Sequence, residues 1–277
     1  DNETIWNKMK RVVKKKRVKI EIYIKCNRLQ YIKINEYYKI MAKYDYLKKY
    51  IDYTYHQHYP KLRELLHERI IDSYFENKNF YKTNNKIIFT AGCYGAGKSH
   101  LLKYMHDKQK ININEYIHID QDKIRQYIPE YTQYLQENQF TAGYRTNKET
   151  GYISELIQRH ALHNNYNLIV DSSLQDAEWH MEYFNWIKNT FPNYKIIIIF
   201  VNVSWVTILE RNILRSEQTK RCIPLNTLKN IYQHSEKSFD KLKLVVDAAY
   251  NIYNDDIYYA HENIQSMSDQ IEKINLN

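Results

Sequence analysis

The amino-acid sequence predicts an α/β fold: a parallel sheet with helices on both faces, preceded by a helical N-terminal module. From residue 86 onward, short apolar runs rich in β-branched residues alternate with longer segments of helical spacing, as in repeated strand–helix units. Three of the five glycines in the 277 residues lie within six positions, directly after the first apolar run. This clustering is typical of a tight turn from a strand into a helix.

Five strands are expected in the second part of the chain. The fourth is almost entirely apolar, as expected for a parallel strand that is buried on both faces. Helices are expected between the strands, and a polar helix is expected at the end of the chain. The predicted strands cover residues 86–91, 117–119, 167–171, 195–203 and 249–253, and the clearest helices cover 149–164, 177–190, 205–215 and 225–244.

Residues 1–83 contain no glycine and a single proline, Pro60. Apolar residues recur at intervals of four from Leu62 to Tyr74, and this spacing predicts a helix that begins near Pro60. We therefore expect a basic helical N-terminal module over residues 1–83, with connecting loops near its end, and a catalytic domain over residues 84–277. On this division, the module is not needed for catalysis.

The net charge of +9 is concentrated near the N-terminus, because residues 8–25 hold nine lysines and arginines against one glutamate. Such a segment is suited to attract a nucleic acid or an acidic partner, although a solvated helix face is the plainer interpretation. The three cysteines are widely separated, which favours a reducing intracellular location, the cytoplasm. The longest apolar run, residues 196–201, is too short to span a membrane.

The glycine cluster belongs to a segment that fits the pattern G-x-x-x-x-G-K-[ST] of a phosphate-binding loop, or P-loop. In such a loop, backbone N–H groups surround phosphate oxygens, the lysine reaches the β- and γ-phosphates and the serine hydroxyl binds Mg²⁺. The sequence therefore predicts a P-loop NTPase or kinase-type fold whose cofactors are ATP and Mg²⁺. The expected nucleotide-binding residues are Gly92, Cys93, Tyr94, Gly95, Ala96, Gly97, Lys98, Ser99 and His100.

Acidic residues follow two of the predicted strands. Asp120 and Asp122 come directly after the second strand, at the sheet edge where a carboxylate can accept the proton of an attacking hydroxyl. One of the two is equally suited to cap the following helix. Asp171 ends the third strand, and an acidic residue in this place commonly organises Mg²⁺ together with a loop serine such as Ser99.

Three arginines, Arg211, Arg215 and Arg221, follow the fourth predicted strand. Phosphoryl transfer needs positive charge where anionic charge develops. The helix and loop that carry these arginines could close over a triphosphate. For Arg215, a position on a basic, solvent-facing side of the helix is an equally good interpretation.

Residues 86–255 resemble the zeta-toxin family of P-loop kinases. The resemblance rests on the order and spacing of the phosphate loop, the segment from Ile119 to Asp122, the acids Glu155 and Asp171, and the arginines after the fourth strand. It implies that Asp120 is the catalytic base. It also implies that the phosphate and magnesium positions are Lys98 and Ser99, that the acceptor side is lined by Glu155, Asp171 and Ser173, and that the triphosphate is clamped by the catalytic arginines Arg211 and Arg221.

The resemblance implies transfer of the ATP γ-phosphate to a hydroxyl group of a small molecule. Bacterial zeta toxins use the 3′-hydroxyl of UDP-N-acetylglucosamine. Two acceptor-side positions depart from the family's pattern, since Asp171 stands where glutamate is common and Gln175 where an arginine is common. Because of these departures we name only the class of the expected acceptor, which is a small molecule such as a nucleotide sugar.

Two other functions remain open. Polynucleotide 5′-kinases share this kind of fold, with an aspartate and a nearby arginine after the second strand. Asp120 or Asp122 could play that part with Arg125, so that Asp122 and Arg125 contact the substrate. The basic N-terminus and the tyrosines would then hold a nucleic-acid strand. Alternatively, the fold serves as a nucleotide-dependent interaction module without catalysis. The joint presence of Lys98, Ser99, Asp120 and Asp171 with both arginines argues against the latter, since a decayed site would lose some of these residues.

Overall fold

The computed structural model describes residues 43–76, 85–255, 266–274 and 276. The basic segment 8–25 and most of the connecting loops predicted near residue 83 therefore lie outside the described residues. By its internal contacts the chain divides into two units, Asp1–Lys43 and Tyr44–Asn277. The second unit contains the sheet.

The sheet has five parallel strands in the order β2-β3-β1-β4-β5. This arrangement confirms the predicted α/β class, and the described strands match the predicted ones to within about a residue at each end. Because β1 lies between β3 and β4, Thr90 pairs with Asp171 and Ala91 pairs with Phe200. The carboxyl ends of the central strands therefore meet at one edge. The strands are β1 (Lys86–Ala91), β2 (Tyr116–Ile119), β3 (Asn167–Asp171), β4 (Lys195–Asn202) and β5 (Ala248–Tyr253).

Helices cover both faces of this sheet. Neighbouring residues of a strand point to opposite faces, so Ile87 belongs to one buried cluster and Ile88 to the other. Among the described residues the helices are α1 (Asp45–Lys48), α2 (Lys61–Phe75), α3 (Lys98–Asp107), α4 (Gln121–Gln126), α5 (Tyr131–Glu137), α6 (Ala142–His163), α7 (Ala177–Thr190), α8 (Trp205–Thr219), α9 (Leu225–Leu242) and α10 (Met267–Glu272). The first cluster includes residues of α2, α6 and α7, and the second includes residues of α3 and α8.

Helix α6 begins seven residues earlier than the sequence predicts, at Ala142 rather than at residue 149. Gly143, which precedes the predicted helix, and Gly151, which lies within it, are both inside α6. Glycine weakens a helix by about 1 kcal/mol relative to alanine. Contacts of its buried first turns, including Thr146 and Thr150, offset this cost.

Helices α1 and α2 pack against α6 as part of the same compact unit. The unit therefore begins at Tyr44, some forty residues before the boundary expected at residue 84. The helical spacing found after Pro60 is present, although Leu62 is 71% exposed because the first turn of α2 reaches beyond the core. The buried apolar residues contributed by this segment are Tyr44, Leu47, Ile51, Ile70 and Ile71.

Arg63 of α2 ties this segment to two carboxylates. Its Nη1 and Nη2 donate to the two oxygens of Glu130 at 3.0 and 2.8 Å, and Nη2 also donates to Glu149 Oε2 at 2.8 Å. The Nε2 atom of His67 lies 2.6 Å from Glu149 Oε1. Glu149 belongs to α6 and Glu130 precedes α5, so one guanidinium joins three helical elements.

The Glu149 carboxylate is expected to stabilise the fold in a pH-dependent way. Burial opposes its ionisation, but the hydrogen bonds from Arg63 and His67 lower the pKa to about 2 from an ordinary 4.5. A pKa depressed on folding adds stability above the unfolded value, and this stability is lost as pH falls from about 4.5 towards 2. Glu149→Gln should therefore lower the free energy of unfolding by about 3 kcal/mol at pH 7.

Urea unfolding of the wild type and Glu149→Gln between pH 7 and pH 3 checks this expectation, because the difference should shrink below pH 4.5. Glu137→Gln is the matched control, since Glu137 forms an exposed ion pair with Arg145, and exposed pairs contribute little. Equal effects of the two substitutions would contradict the expectation.

Candidate active site

The predicted phosphate loop connects β1 to α3 at the carboxyl edge of the sheet. Gly92 has a φ of 130°, and a Cβ at this position would lie 2.5 Å from the carbonyl oxygen of Val201 in β4. Gly97 caps α3 in the left-handed conformation, with a φ of 95°. Both positions require glycine, and the loop delivers the N-terminus of α3 to the site, where backbone N–H groups favour anions.

Lys98 bends back over the loop. Its Nζ donates to the carbonyl oxygens of Gly92 at 2.9 Å and Cys93 at 3.2 Å. Burial lowers the pKa of the Lys98 ammonium, and the carboxylate of Asp171 opposes this shift. The lysine therefore bonds to the loop backbone and is influenced by the charge of the acid that ends β3.

Arg211 and Asn254 hold the loop through its carbonyl groups. Arg211 Nη1 lies 3.3 Å from the oxygens of both Gly95 and Ala96, and Asn254 Nδ2 donates to the Ala96 oxygen at 2.9 Å. The Ala96 C=O and the Gly97 N–H belong to one peptide group, and in a trans peptide these two bonds point in opposite directions. The contacts to the Ala96 oxygen therefore fix the direction of the Gly97 N–H. In this arrangement Arg211 supports the loop rather than facing open space.

Asp171 stands at the end of β3 beside residues of the two neighbouring strands. Its Oδ1 accepts a short hydrogen bond from Thr90 of β1, and its Oδ2 lies 3.3 Å from His118 Nε2 of β2. Burial opposes ionisation, but His118, Thr90 and the charge of Lys98 hold the pKa of Asp171 below its ordinary value. The carboxylate is thus ionised and fixed in orientation.

Asp120 caps α4, because its Oδ1 accepts the backbone N–H of Asp122 at 2.8 Å. Burial raises the pKa of Asp120, and the negative charges of Asp171 and Asp122 raise it further. A carboxylate with a raised pKa binds a proton more readily than an ordinary one. Of the two acids that follow β2, Asp120 is therefore both the cap and the stronger base.

Asp122 accepts hydrogen bonds from three arginines. Its Oδ1 accepts from Arg221 Nη1 at 2.6 Å and from Arg125, and its Oδ2 accepts from Arg215 Nη2 at 2.8 Å. Burial opposes ionisation of Asp122, but the charges of Arg221, Arg125 and Arg215 hold the pKa of its carboxyl below the ordinary value. The structure thus joins Arg215, left open as a helix-face residue on the sequence alone, to the predicted site.

Several expected site residues have other surroundings. The Glu155 carboxylate is buried, accepts from Arg159 Nε at 2.9 Å and lies 3.1 Å from His56 Nε2, so it joins α6 to the segment before α2. Cys93 is buried, and burial raises the pKa of its thiol to about 11. Ser99 and His100 are exposed in the first turn of α3. Ser173 is half-buried in the segment after β3.

The residues that the sequence did not single out are Thr90, His118 and Asn254. Each acts through a partner far away in the sequence, so no local pattern signals it. Tyr94 is half-buried in the loop, with its ring centre 5.4 Å from the Arg221 guanidinium and 5.9 Å from Lys98 Nζ.

A phosphate loop at the carboxyl edge of a five-stranded parallel sheet, with acids on the neighbouring strands, defines a P-loop protein of the kinase type. The model of the family described as zeta toxin matches residues 71–267. The chain belongs to the zeta toxin family, as the sequence resemblance implies. Family membership supports nucleotide binding and phosphotransferase activity.

Two solved structures align with this chain, and the first of them shares its fold. A chain from the PezAT chromosomal toxin–antitoxin system of Streptococcus pneumoniae aligns with a TM-score of 0.57 and 18% identity over 72% of this chain and 80% of that chain. A putative kinase from Chloroflexus aurantiacus aligns with a TM-score of 0.44 and 12% identity over 69% and 96% of the two chains. A comparison with the curated proteins finds no match.

The part of the chain that the structure describes contains no helix with the length and apolarity needed to cross a membrane. Within the same residues, no three His, Cys, Asp or Glu side chains are grouped to hold a metal ion.

Proposed function

We propose that the protein transfers the γ-phosphate of ATP to a hydroxyl group of a small acceptor such as a nucleotide sugar, with Asp120 as the base. The observation that carries the proposal is the position of Asp120 directly after β2, at the sheet edge that also bears Lys98 on the phosphate loop and Asp171 at the end of β3. Burial at this edge raises the pKa of Asp120. A base poised to take a proton beside a phosphate loop suits attack by a hydroxyl group.

The transfer forms one bond and breaks another. The acceptor oxygen bonds to the γ-phosphorus, the bond from that phosphorus to the β–γ bridging oxygen breaks, and ADP leaves. The hydroxyl proton passes to the Asp120 carboxylate. Lys98, with the N–H groups of the loop and the α3 N-terminus, binds the phosphates. Arg221 and Arg215 supply positive charge near them, and Arg211 holds the loop in place.

The donor set around the loop fits Mg²⁺. Ser99 offers an exposed hydroxyl at the first turn of α3, and Asp171 offers a carboxylate with a lowered pKa that accepts a hydrogen bond from Thr90. Mg²⁺ takes oxygen ligands and is commonly bound by one or two carboxylates together with substrate phosphates and waters. Bound there, the ion would neutralise charge on the phosphate oxygens.

The identity of the acceptor is tested by labelling. Purified full chain is incubated with ATP labelled at the γ-phosphate and, in separate reactions, with UDP-N-acetylglucosamine and with a 5′-hydroxyl oligonucleotide. We expect label on the nucleotide sugar, and none with Lys98→Ala, which lacks the phosphate-binding ammonium. Label on the oligonucleotide alone would instead favour a polynucleotide kinase. Label on neither acceptor would contradict both functions.

A further inference from the structure

Arg221 is held by groups from two other elements, and one of them is a glycine. We propose that Gly143 and Asp122 are positioning residues for Arg221, and that α6 must carry no side chain at position 143 for this arginine to serve the phosphates. The inference rests on the proposed function, because it concerns how a charge of that site is placed. Its geometric part can be tested without any catalysed reaction.

The guanidinium of Arg221 lies across the backbone of α6. A Cβ built on Gly143 would lie 2.7 Å from Arg221 Nε, 3.0 Å from Nη2 and 3.2 Å from Cζ. Distances below 3.0 Å are not tolerated by real side chains, so an added methyl group must move the guanidinium. The φ of Gly143 is helical and gives no other reason for a glycine.

The opposite side of the guanidinium is held by Asp122 through the bond from Nη1 at 2.6 Å. Asp122 is itself fixed by Arg125, whose side chain is only 1% exposed. Arg125 Nε in turn donates to the Thr146 hydroxyl of α6 at 2.7 Å. The carboxylate is therefore a partly buried group that is held within a hydrogen-bonded network.

These contacts form a closed ring that begins and ends on α6. It runs from Thr146 through Arg125 and Asp122 to Arg221 and returns to α6 at Gly143. Gly143 and Thr146 are three residues apart and so share one face of the helix. Because the ring closes, the position of the Arg221 guanidinium is determined from both sides.

This placement leaves charge available for an anion. Three guanidinium groups, those of Arg125, Arg215 and Arg221, share one carboxylate, and three positive charges with one negative charge leave +2. Asp122 occupies one nitrogen of Arg221, and a guanidinium carries five N–H donors. Donors fixed in advance stabilise developing charge without reorganisation, which is the role assigned here to Arg221.

Two substitutions in the same helix test the geometry. Gly143→Ala adds a methyl group against Arg221, whereas Gly151→Ala adds one whose nearest contact outside its own helix is His56 Cε1 at an ordinary 3.8 Å. Alanine for glycine in a helix should raise Tm by about 1 to 4 °C. We expect that rise for Gly151→Ala, but no rise for Gly143→Ala unless Arg221→Ala is also present.

Steady-state kinetics with ATP and the acceptor test the positioning role. Gly143→Ala should lower kcat about 10- to 100-fold, because a misplaced catalytic group loses about this much, while Gly151→Ala should stay within twofold of the wild type. In the Arg221→Ala background, Gly143→Ala should cause no further loss. A merely structural defect would lower activity in both backgrounds.

The two readouts separate the failure of this inference from the failure of the proposed function. If the wild type transfers no phosphate, the proposed function fails, and the Tm measurements alone judge the contact. Equal Tm gains for Gly143→Ala and Gly151→Ala would then overturn the inference. With an active enzyme, it is overturned if Gly143→Ala retains kcat within twofold of Gly151→Ala, or loses as much kcat without Arg221 as with it.

Discussion

Replacing Asp120 with asparagine is expected to lower phosphotransfer turnover by about 100- to 10,000-fold while ATP still binds. Asparagine caps a helix as well as aspartate does, so its amide oxygen can accept the N–H of Asp122 that Asp120 accepts at 2.8 Å. The fold should therefore be retained. An amide cannot take the hydroxyl proton, and turnover should fall for that reason alone.

Asp176→Asn is the matched control, because Asp176 caps α7 by accepting the N–H of Trp179 at 3.0 Å. It should leave turnover unchanged. The pH profile gives a second check: since the base works ionised and its pKa is raised, wild-type kcat/KM should fall on acidification at a pH above the ordinary aspartate range. Unchanged turnover of Asp120→Asn would contradict the assignment of Asp120 as the base.

A chain that begins at Asn85 is expected not to fold, whereas one that begins at Tyr44 should fold and keep its turnover. The shorter chain loses five buried apolar side chains of the segment before β1. At about 2 kcal/mol each, their burial contributes roughly 10 kcal/mol, which is comparable with the whole stability of a typical domain. It also loses Arg63, which joins α2 to Glu130 and Glu149.

Soluble yield, circular dichroism and thermal unfolding of both truncated chains measure this difference. The chain from Tyr44 is the control, because it keeps the whole compact unit. A cooperative transition in the chain from Asn85, at the Tm of the full protein, would show that residues 44–84 are dispensable, as the sequence alone suggests.

The strands were predictable because their signal is local. Runs such as residues 86–91 and 195–202 are apolar on both faces, and this pattern identifies a buried parallel strand without knowledge of its partners. The start of α6 was not predictable, because Gly143, Thr146 and Asn147 are poor helix formers in isolation. The attachment of α2 was missed because its Arg63 contacts lie 67 and 86 residues further along the chain.

The residues of the site also fall into those with a local sequence signal and those without one. The phosphate loop is continuous in sequence, and the strand before it and the helix after it identify it. The roles of the arginines depend on distant partners: Arg211 contacts loop carbonyls 115 and 116 residues before it, and Arg221 contacts Asp122. Spacing alone places these side chains near a triphosphate but does not reveal what they hold. Glu155 likewise pairs with His56, 99 residues away.

Helix α6 carries Gly143 and Thr146 at its start and Glu149 one turn later. Each residue of a helix turns the chain by about 100°. A single-residue insertion or deletion between positions 146 and 149 would therefore rotate one set of contacts away while the other stayed in place. The anchoring of the N-terminal segment and the placement of the arginines thus depend on the same length of helix, and the number of residues between positions 146 and 149 must stay constant.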